Sequence, residues 1–169
     1  YYTTINGALC SKDGTILVKC PNQKSGSFTV PSSVKKIYAN AFCGCKKLTS
    51  VTIPSSVEYI GSNAFADCTN LQTVRMEARV DTLREGIFDG CVALNSIRIP
   101  GTVKQIDRDA FRRCKSLTKI TIPETVESLG YRAFYACERL ESVSLSSKMD
   151  AIPYQAFYKC FKLKKVDGM

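Results

Sequence analysis

The sequence contains no histidine, so serine–histidine–aspartate and cysteine–histidine catalytic arrangements are closed to it. No Cys-x-x-Cys pair occurs; Cys43 and Cys45 are the closest cysteines, and the remaining spacings do not match zinc-ligand patterns. A glycine-rich phosphate loop, a dinucleotide fingerprint and a repeated carboxylate calcium loop are also lacking. Acidic pairs such as Glu124 and Glu127 exist, but they fall on expected solvated corners rather than in the shared cleft that glycoside chemistry needs. The expectation is a protein that is not an enzyme and uses no cofactor or metal. With no long hydrophobic run, basic leader or initiator Met, direct membrane insertion is not expected, and the chain reads as a piece of a longer protein. No Asn-x-Ser/Thr sequon is present, which suits an exported or an intracellular location equally.

What is there is a repeat. Phe42, Phe65, Phe88, Phe111, Phe134 and Phe157 stand 23 residues apart, as do Cys45, Cys68, Cys91, Cys114, Cys137 and Cys160. Leu48, Leu71, Leu94, Leu117, Leu140 and Leu163 keep the same step, followed three residues later by Val51, Val74, Ile97, Ile120, Val143 and Val166. A fixed period in the low twenties means stacked coils, and the Leu-x-x-Val-x-Ile order points to a leucine-rich repeat. The units run over residues 30–52, 53–75, 76–98, 99–121, 122–144 and 145–169 of one domain, behind a cap at 1–29. In the cap, apolar runs around Leu9 and Leu17 flank Asp13-Gly14, predicting a β-hairpin that covers the first coil, with 21–27 as the loop into the repeats.

Within each unit the residues imply a strand, a corner and a returning arm. Alternation around Val51 predicts a short strand pairing in parallel with its counterparts in neighbouring coils. Pro31, Pro54, Pro100 and Pro123 end it at the same corner, because proline has no amide hydrogen for a ladder. Val57 and Ile60 point inward on the arm, and residues 61–65 predict a tight helical turn that drives Phe65 into the core. The expected fold is thus an α/β, right-handed solenoid or horseshoe, with parallel strands on the concave face and short helical turns and extended arms elsewhere. The third unit, with Met76-Glu77 in place of Ile-Pro, predicts local irregularity; the sixth lacks the corner proline and carries Pro153 instead.

The ladder cysteines read as small buried thiols, since coils stacked about 4.8 Å apart with parallel Cβ directions suit a disulfide poorly. Cys10 and Cys20 are placed to bridge the amino-terminal segment in an oxidising compartment, or to remain free.

Residues flanking the inward Val or Ile of each strand face out: Ser50 and Thr52, Thr73 and Arg75, Ser96 and Arg98, Lys119 and Thr121, Ser142 and Ser144, Lys165 and Asp167. Thr73, Arg75, Ser96, Arg98, Lys119 and Thr121 form the candidate binding site, with Arg75, Arg98 and Lys119 setting three positive charges on consecutive coils. Short polar residues also keep an exposed sheet soluble, and the floor lacks aromatic anchors. A second basic cluster, Arg108, Arg112, Arg113 and Lys115, falls on the turn as a solvated rim. Tyr131, Tyr135, Tyr154 and Tyr158 form either a rival surface or packing between coils. The net charge of +9 favours acidic partners or simply solubility. Nucleic acid is disfavoured, because the basic residues lack interleaved aromatics on one face. End-to-end self-association is expected from the uncapped last strand.

The units resemble the BspA-like, or Treponema pallidum-type, leucine-rich repeats: IPSSVEYIGSNAFADCTNLQTV over 53–74 is similar to their hallmark, and the segment from Ile5 to Val34 to the cap often preceding it. The resemblance spans essentially the whole chain. It implies a cell-surface or secreted adhesion module at the host–microbe boundary, binding a protein or acidic glycan, with no shared catalytic residues. An intracellular scaffold or regulator of protein–protein interactions is the alternative, suited by reduced thiols.

Overall fold

The structure is a computed structural model describing residues 1–168. It opens with β1 (Tyr2–Ile5), β2 (Ala8–Ser11) and β3 (Ile16–Lys19), an antiparallel meander. The Asp13-Gly14 turn forms as expected. Gly14 N–H donates to Ser11 O (2.8 Å) at φ 70°, and the Asp13 carboxylate accepts from Thr15 N–H (3.1 Å). The cap is nevertheless three-stranded rather than a simple hairpin: Asn6-Gly7, at φ 52° and 84°, makes a second tight turn of the kind that suits strand twist.

The coils then contribute, in order, β4 (Gly26–Thr29), β5 (Lys36–Ile37), β6 (Leu48–Ile53), β7 (Tyr59–Ile60), β8 (Thr73–Met76), β9 (Thr82–Leu83), β10 (Ser96–Ile97), β11 (Gln105–Ile106), β12 (Lys119–Thr121), β13 (Ser128–Leu129), β14 (Ser142–Ser144) and β15 (Lys165–Asp167). The main ladder is parallel, β4-β6-β8-β10 and then β12-β14-β15; the arm ladder is β3-β5-β7 and then β9-β11-β13. Ser50 lies opposite Thr73, Thr73 opposite Ser96 and Lys119 opposite Ser142, so one sequence unit is one coil of a solenoid. β4 starts inside the segment expected to be loop, which puts Phe28 opposite Val51 and begins the ladder ahead of residue 30.

The expected helical turns do not form: no helix exists among the described residues, and the architecture is β throughout. Two residues of each turn, four apart, adopt left-handed φ: Asn40 and Gly44, Asn63 and Asp67, Gly86 and Gly90, Asp109 and Arg113, Arg132 and Ala136, Gln155 and Lys159. A right-handed helix cannot pass through such positions. Donors also alternate in direction. The N–H groups of Ala41 and Cys43 close turns on Tyr38 and Asn40 of their own coil, whereas those of Asn40, Phe42 and Gly44 donate to Ser62, Ala64 and Ala66 of the next. Every second amide is therefore spent between coils, where a helix would spend it within one.

Inside, the five phenylalanines from Phe42 to Phe134 are fully buried, and successive rings through Phe157 stack at 4.7–5.5 Å with interplanar angles of at most 22°. The thiols do more than fill space. Cys68, Cys91, Cys114, Cys137 and Cys160 each donate to the carbonyl of the Phe one coil back, at 3.1–3.3 Å. The carbonyls of Phe42, Phe65, Phe88, Phe111 and Phe134 also accept the N–H of their own coil's cysteine, so both lone pairs are used. Burial pushes the Cys68 thiol up to about 12 and those of Cys91, Cys114 and Cys137 well above the ordinary range, which keeps the S–H donor in place. All nine cysteines are free, Cys10 and Cys20 included, and only Cys43 and Cys160 are partly exposed. Mass-spectrometric labelling of the native protein with iodoacetamide should therefore mark Cys43 and Cys160, with the remaining seven reacting only in denaturant.

The third unit is irregular, as expected. Elsewhere Val34, Val57, Val103 and Val126 N–H groups close a turn on Pro31, Pro54, Pro100 and Pro123; at Met76-Glu77 no such turn forms, and Glu77 and Arg79 N–H groups donate instead to Ile53 and Val57 of the preceding coil. In the sixth unit the arm strand disappears. The N–H groups of Tyr38, Gly61, Asp107 and Gly130 donate to the arm strand one coil back; Pro153 occupies the same register position without a hydrogen to give.

Candidate functional site

Strand alternation turns Val51, Val74, Ile120 and Val143 inward, which leaves Thr73, Arg75, Ser96, Arg98, Lys119 and Thr121 exposed together on the outer face of the main ladder. They line two adjoining hollows. One of about 540 Å³ is bounded by Ser50, Thr52, Thr73, Arg75, Ser96 and Arg98. The other, about 480 Å³, lies among Arg98, Lys119 and Thr121 over Ile97, Ile99 and Ile120, and Arg98 belongs to both.

The three cations are not equivalent. The Arg75 guanidinium is tied to Glu77 at 2.7 Å, so its charge is largely answered by the residue just past the end of its own strand. The signal was present in the sequence, since residues two apart in a strand share a face. Arg98 and Lys119 have no ion-pair partner among the described residues, which leaves two uncompensated charges side by side over the second hollow. Ser50 hydroxyl donates to Ser27 (2.8 Å), continuing the polar floor toward the cap.

The second basic cluster is not a free rim. Arg113 grips Asp89 with two bonds, Nε–Oδ1 3.0 Å and Nη2–Oδ2 3.2 Å, and reaches Asp67 two coils back at 3.5 Å. Gly90 permits this reach: at φ 73° it has no side chain in the space between Asp67 and Arg113, and any Cβ would collide with the Asp67 carboxylate. The hydrogen bond to Asp89 holds the Arg113 guanidinium above its usual range. Arg132 clasps Asp109 through Nε and Nη2, both at 3.1 Å, and Arg108 pairs with Glu85 at 3.0 Å. Lys115 pairs with Glu138 at 2.9 Å. The acidic partners Asp67, Asp89 and Asp109 escape a sequence reading because they sit one or two coils away.

The tyrosines pack between coils, Tyr131 on Tyr154 at 6.5 Å and Tyr135 on Tyr158 at 5.7 Å, with Arg132 and Lys159 over the rings. Tyr154 and Tyr158 still present broad exposed surface. A further hollow of about 440 Å³, lined by Lys36, Tyr38, Ala39 and Tyr59, lies on the arm side, with Arg84 4.6 Å over the Tyr59 ring. Among the described residues no three Cys, Asp or Glu side chains converge as a metal donor set, and no helix is long and apolar enough to cross a membrane.

The chain superposes over its full length on a Treponema pallidum leucine-rich repeat protein, with TM-score 0.88 and 28% identity, spanning 79% of that chain. A leucine-rich cell surface protein of Faecalibacterium prausnitzii is matched over 98% of this chain and 39% of its own, with TM-score 0.69 and 30% identity. A Bacteroides ovatus leucine-rich repeat protein is matched over 99% of this chain and 51% of its own, with TM-score 0.75 and 28% identity. No curated protein matches. The model of the BspA type leucine rich repeat region matches in six copies, over residues 19–114 and 82–168. With that match covering nearly all of the repeats, the chain belongs to the BspA-type leucine-rich repeat family.

Proposed function

We propose that this chain is a non-enzymatic recognition module of a cell-surface or secreted protein, serving adhesion by binding a host protein or acidic glycan through the main strand face. On this reading the face is the concave side of a right-handed horseshoe. The observation that carries the proposal is the convergence of Thr73, Arg75, Ser96, Arg98, Lys119 and Thr121 around two open hollows, with Arg98 and Lys119 unanswered by any acid among the described residues. Similarity to a protein described as a leucine-rich cell surface protein supports the location. A second reading, an intracellular scaffold, is favoured by the free thiols.

The test is a glycan and matrix-protein array at low and physiological salt. Hits that weaken with salt are expected, because the attraction is between exposed charges. Reversing two of them, Arg75→Glu with Arg98→Glu, should lower the affinity of those hits roughly ten-fold or more; unchanged binding to every hit would remove the strand face from the recognition surface.

A further inference from the structure

The main ladder is broken at one junction. β10 does not pair with β12, although the strands before and after them pair throughout. The bonds that recur elsewhere are absent here. Gln72, Asn95, Glu141 and Lys164 N–H groups donate to Thr49, Gln72, Thr118 and Glu141 one coil back, but Thr118 N–H makes no such bond to Asn95 among the described residues. Val30, Ile122 and Leu145 N–H groups donate to Thr52, Ser144 and Asp167, yet among the described residues Ile99 N–H makes no bond to Thr121 O, as Met76 N–H makes none to Arg98 O at the junction before it. The third and fourth units stay joined along the arm and the turn, by Lys104 to Asp81, Asp107 to Leu83, Gly86 to Arg108 and Phe88 to Ala110. The opening is therefore confined to the strand corner. It ends the third unit, the one without a corner turn, whose beginning coincides with the other break, between β7 and β9. Ile97, alone among the first five inward residues of its series, is only partly buried as a result.

We infer that this seam is a carboxylate-binding subsite for an acidic side chain of a protein partner. The inference rests on the proposed use of the strand face. Alternation aims the Ile99 N–H into the seam, where it lacks the carbonyl its counterparts bond, and the Thr118 N–H at the same junction lacks one as well. A buried amide left without a partner is poised to take one from a ligand. Arg98 and Lys119 line the same hollow. β10 and β12 keep Cα atoms within 8 Å of each other, less than the roughly 9.6 Å that an inserted strand would need, so a partner strand cannot enter and the hollow above is left to a single side chain. Its walls are Ile97, Ile99 and Ile120, which suit the methylenes of glutamate, and no aromatic ring is present among the lining residues to stack on a sugar.

The probe is an acetylated, amidated Gly-Ser-Glu-Ser-Gly peptide, titrated into the full chain alongside its Gln isostere and an oligogalacturonate and followed by amide shifts in nitrogen-15 NMR. The Glu peptide should perturb residues 97–99 and 119–122 and bind about ten-fold more tightly than the Gln peptide, the difference expected of charge-assisted hydrogen bonds. Arg98→Gln with Lys119→Gln should abolish that preference while the rest of the spectrum holds. Equal response to Glu and Gln, or shifts confined to the Arg75 region, overturns the subsite; response to the oligogalacturonate alone gives the seam to an acidic glycan and overturns the protein side chain. Array binding lost in the reversal variant with a silent seam would sink this inference and leave the wider reading standing. Seam shifts with array hits indifferent to the reversal would do the opposite.

Discussion

Phe111→Ala should lower the free energy of unfolding by about 3–5 kcal/mol in urea titrations. The side chain is fully buried and stacked at 5.4 Å on Phe88 and 5.1 Å on Phe134. Its backbone is held independently: the N–H donates to Ala133 O (2.8 Å), and the carbonyl accepts Cys114 N–H and the Cys137 thiol, both at 3.2 Å. The chain cannot collapse around the lost ring without breaking those bonds, so the cavity persists. Because each ring stacks only on those of the neighbouring coils, the gap also divides the ring column. The transition should broaden and its slope fall as the two halves begin to unfold separately. Phe157→Ala is the control. That ring is only partly buried and has a stacking partner on one side, so the loss there should be less than half as large. Equal losses at both positions would mean that the column is not the source of stability.

Asp109→Asn should cost roughly 3 kcal/mol, near the lower end for breaking a buried ion pair because Arg132 keeps some access to water. The Asp109 side chain is 8% exposed and that of Arg132 27%. Asn is the right replacement on backbone grounds: the site has φ 56°, and Asn63 occupies the same register position at φ 55°. The loss therefore reports charge rather than strain. The Arg132 Nε–Oδ1 approach is 3.1 Å but poorly aligned as a hydrogen bond, so the Nη2–Oδ2 bond carries most of the directionality. Adding Arg132→Gln should recover more than half of the loss, since the penalty of the single variant lies in a stranded guanidinium. A double-mutant cycle with coupling near zero would show that the pair is merely adjacent.

The spines were legible because their positions repeat without a slip, and a side chain that must point inward in every coil has to keep its type. The turn was misread for a physical reason. Phe65 and Cys68, three apart and both buried, mimic one face of a helix, while the evidence against it lies in Asn63 and Asp67, polar residues that tolerate left-handed φ. The six residues of the strand face were legible from alternation alone. Their charge state was not, because Glu77 beside Arg75 had been read only as a lost corner proline. The partners of Arg113 lie 24 and 46 residues back, a separation that becomes adjacency only after stacking and only because Gly90 leaves the way open. The seam is a departure from the repeat, and a period cannot announce where it fails.

The cysteine ladder has a consequence for how long the molecule survives rather than how tightly it holds together. While the coils are closed, seven thiols are sealed from solvent. A coil that opens in an oxidising milieu presents thiols that can pair with any other exposed cysteine, and such a cross-link cannot be accommodated when the stack recloses. Opening there becomes a one-way event. Outside a reducing compartment the working lifetime is then set by the rate at which coils first part, so natural variants would be sorted by unfolding speed more than by equilibrium stability.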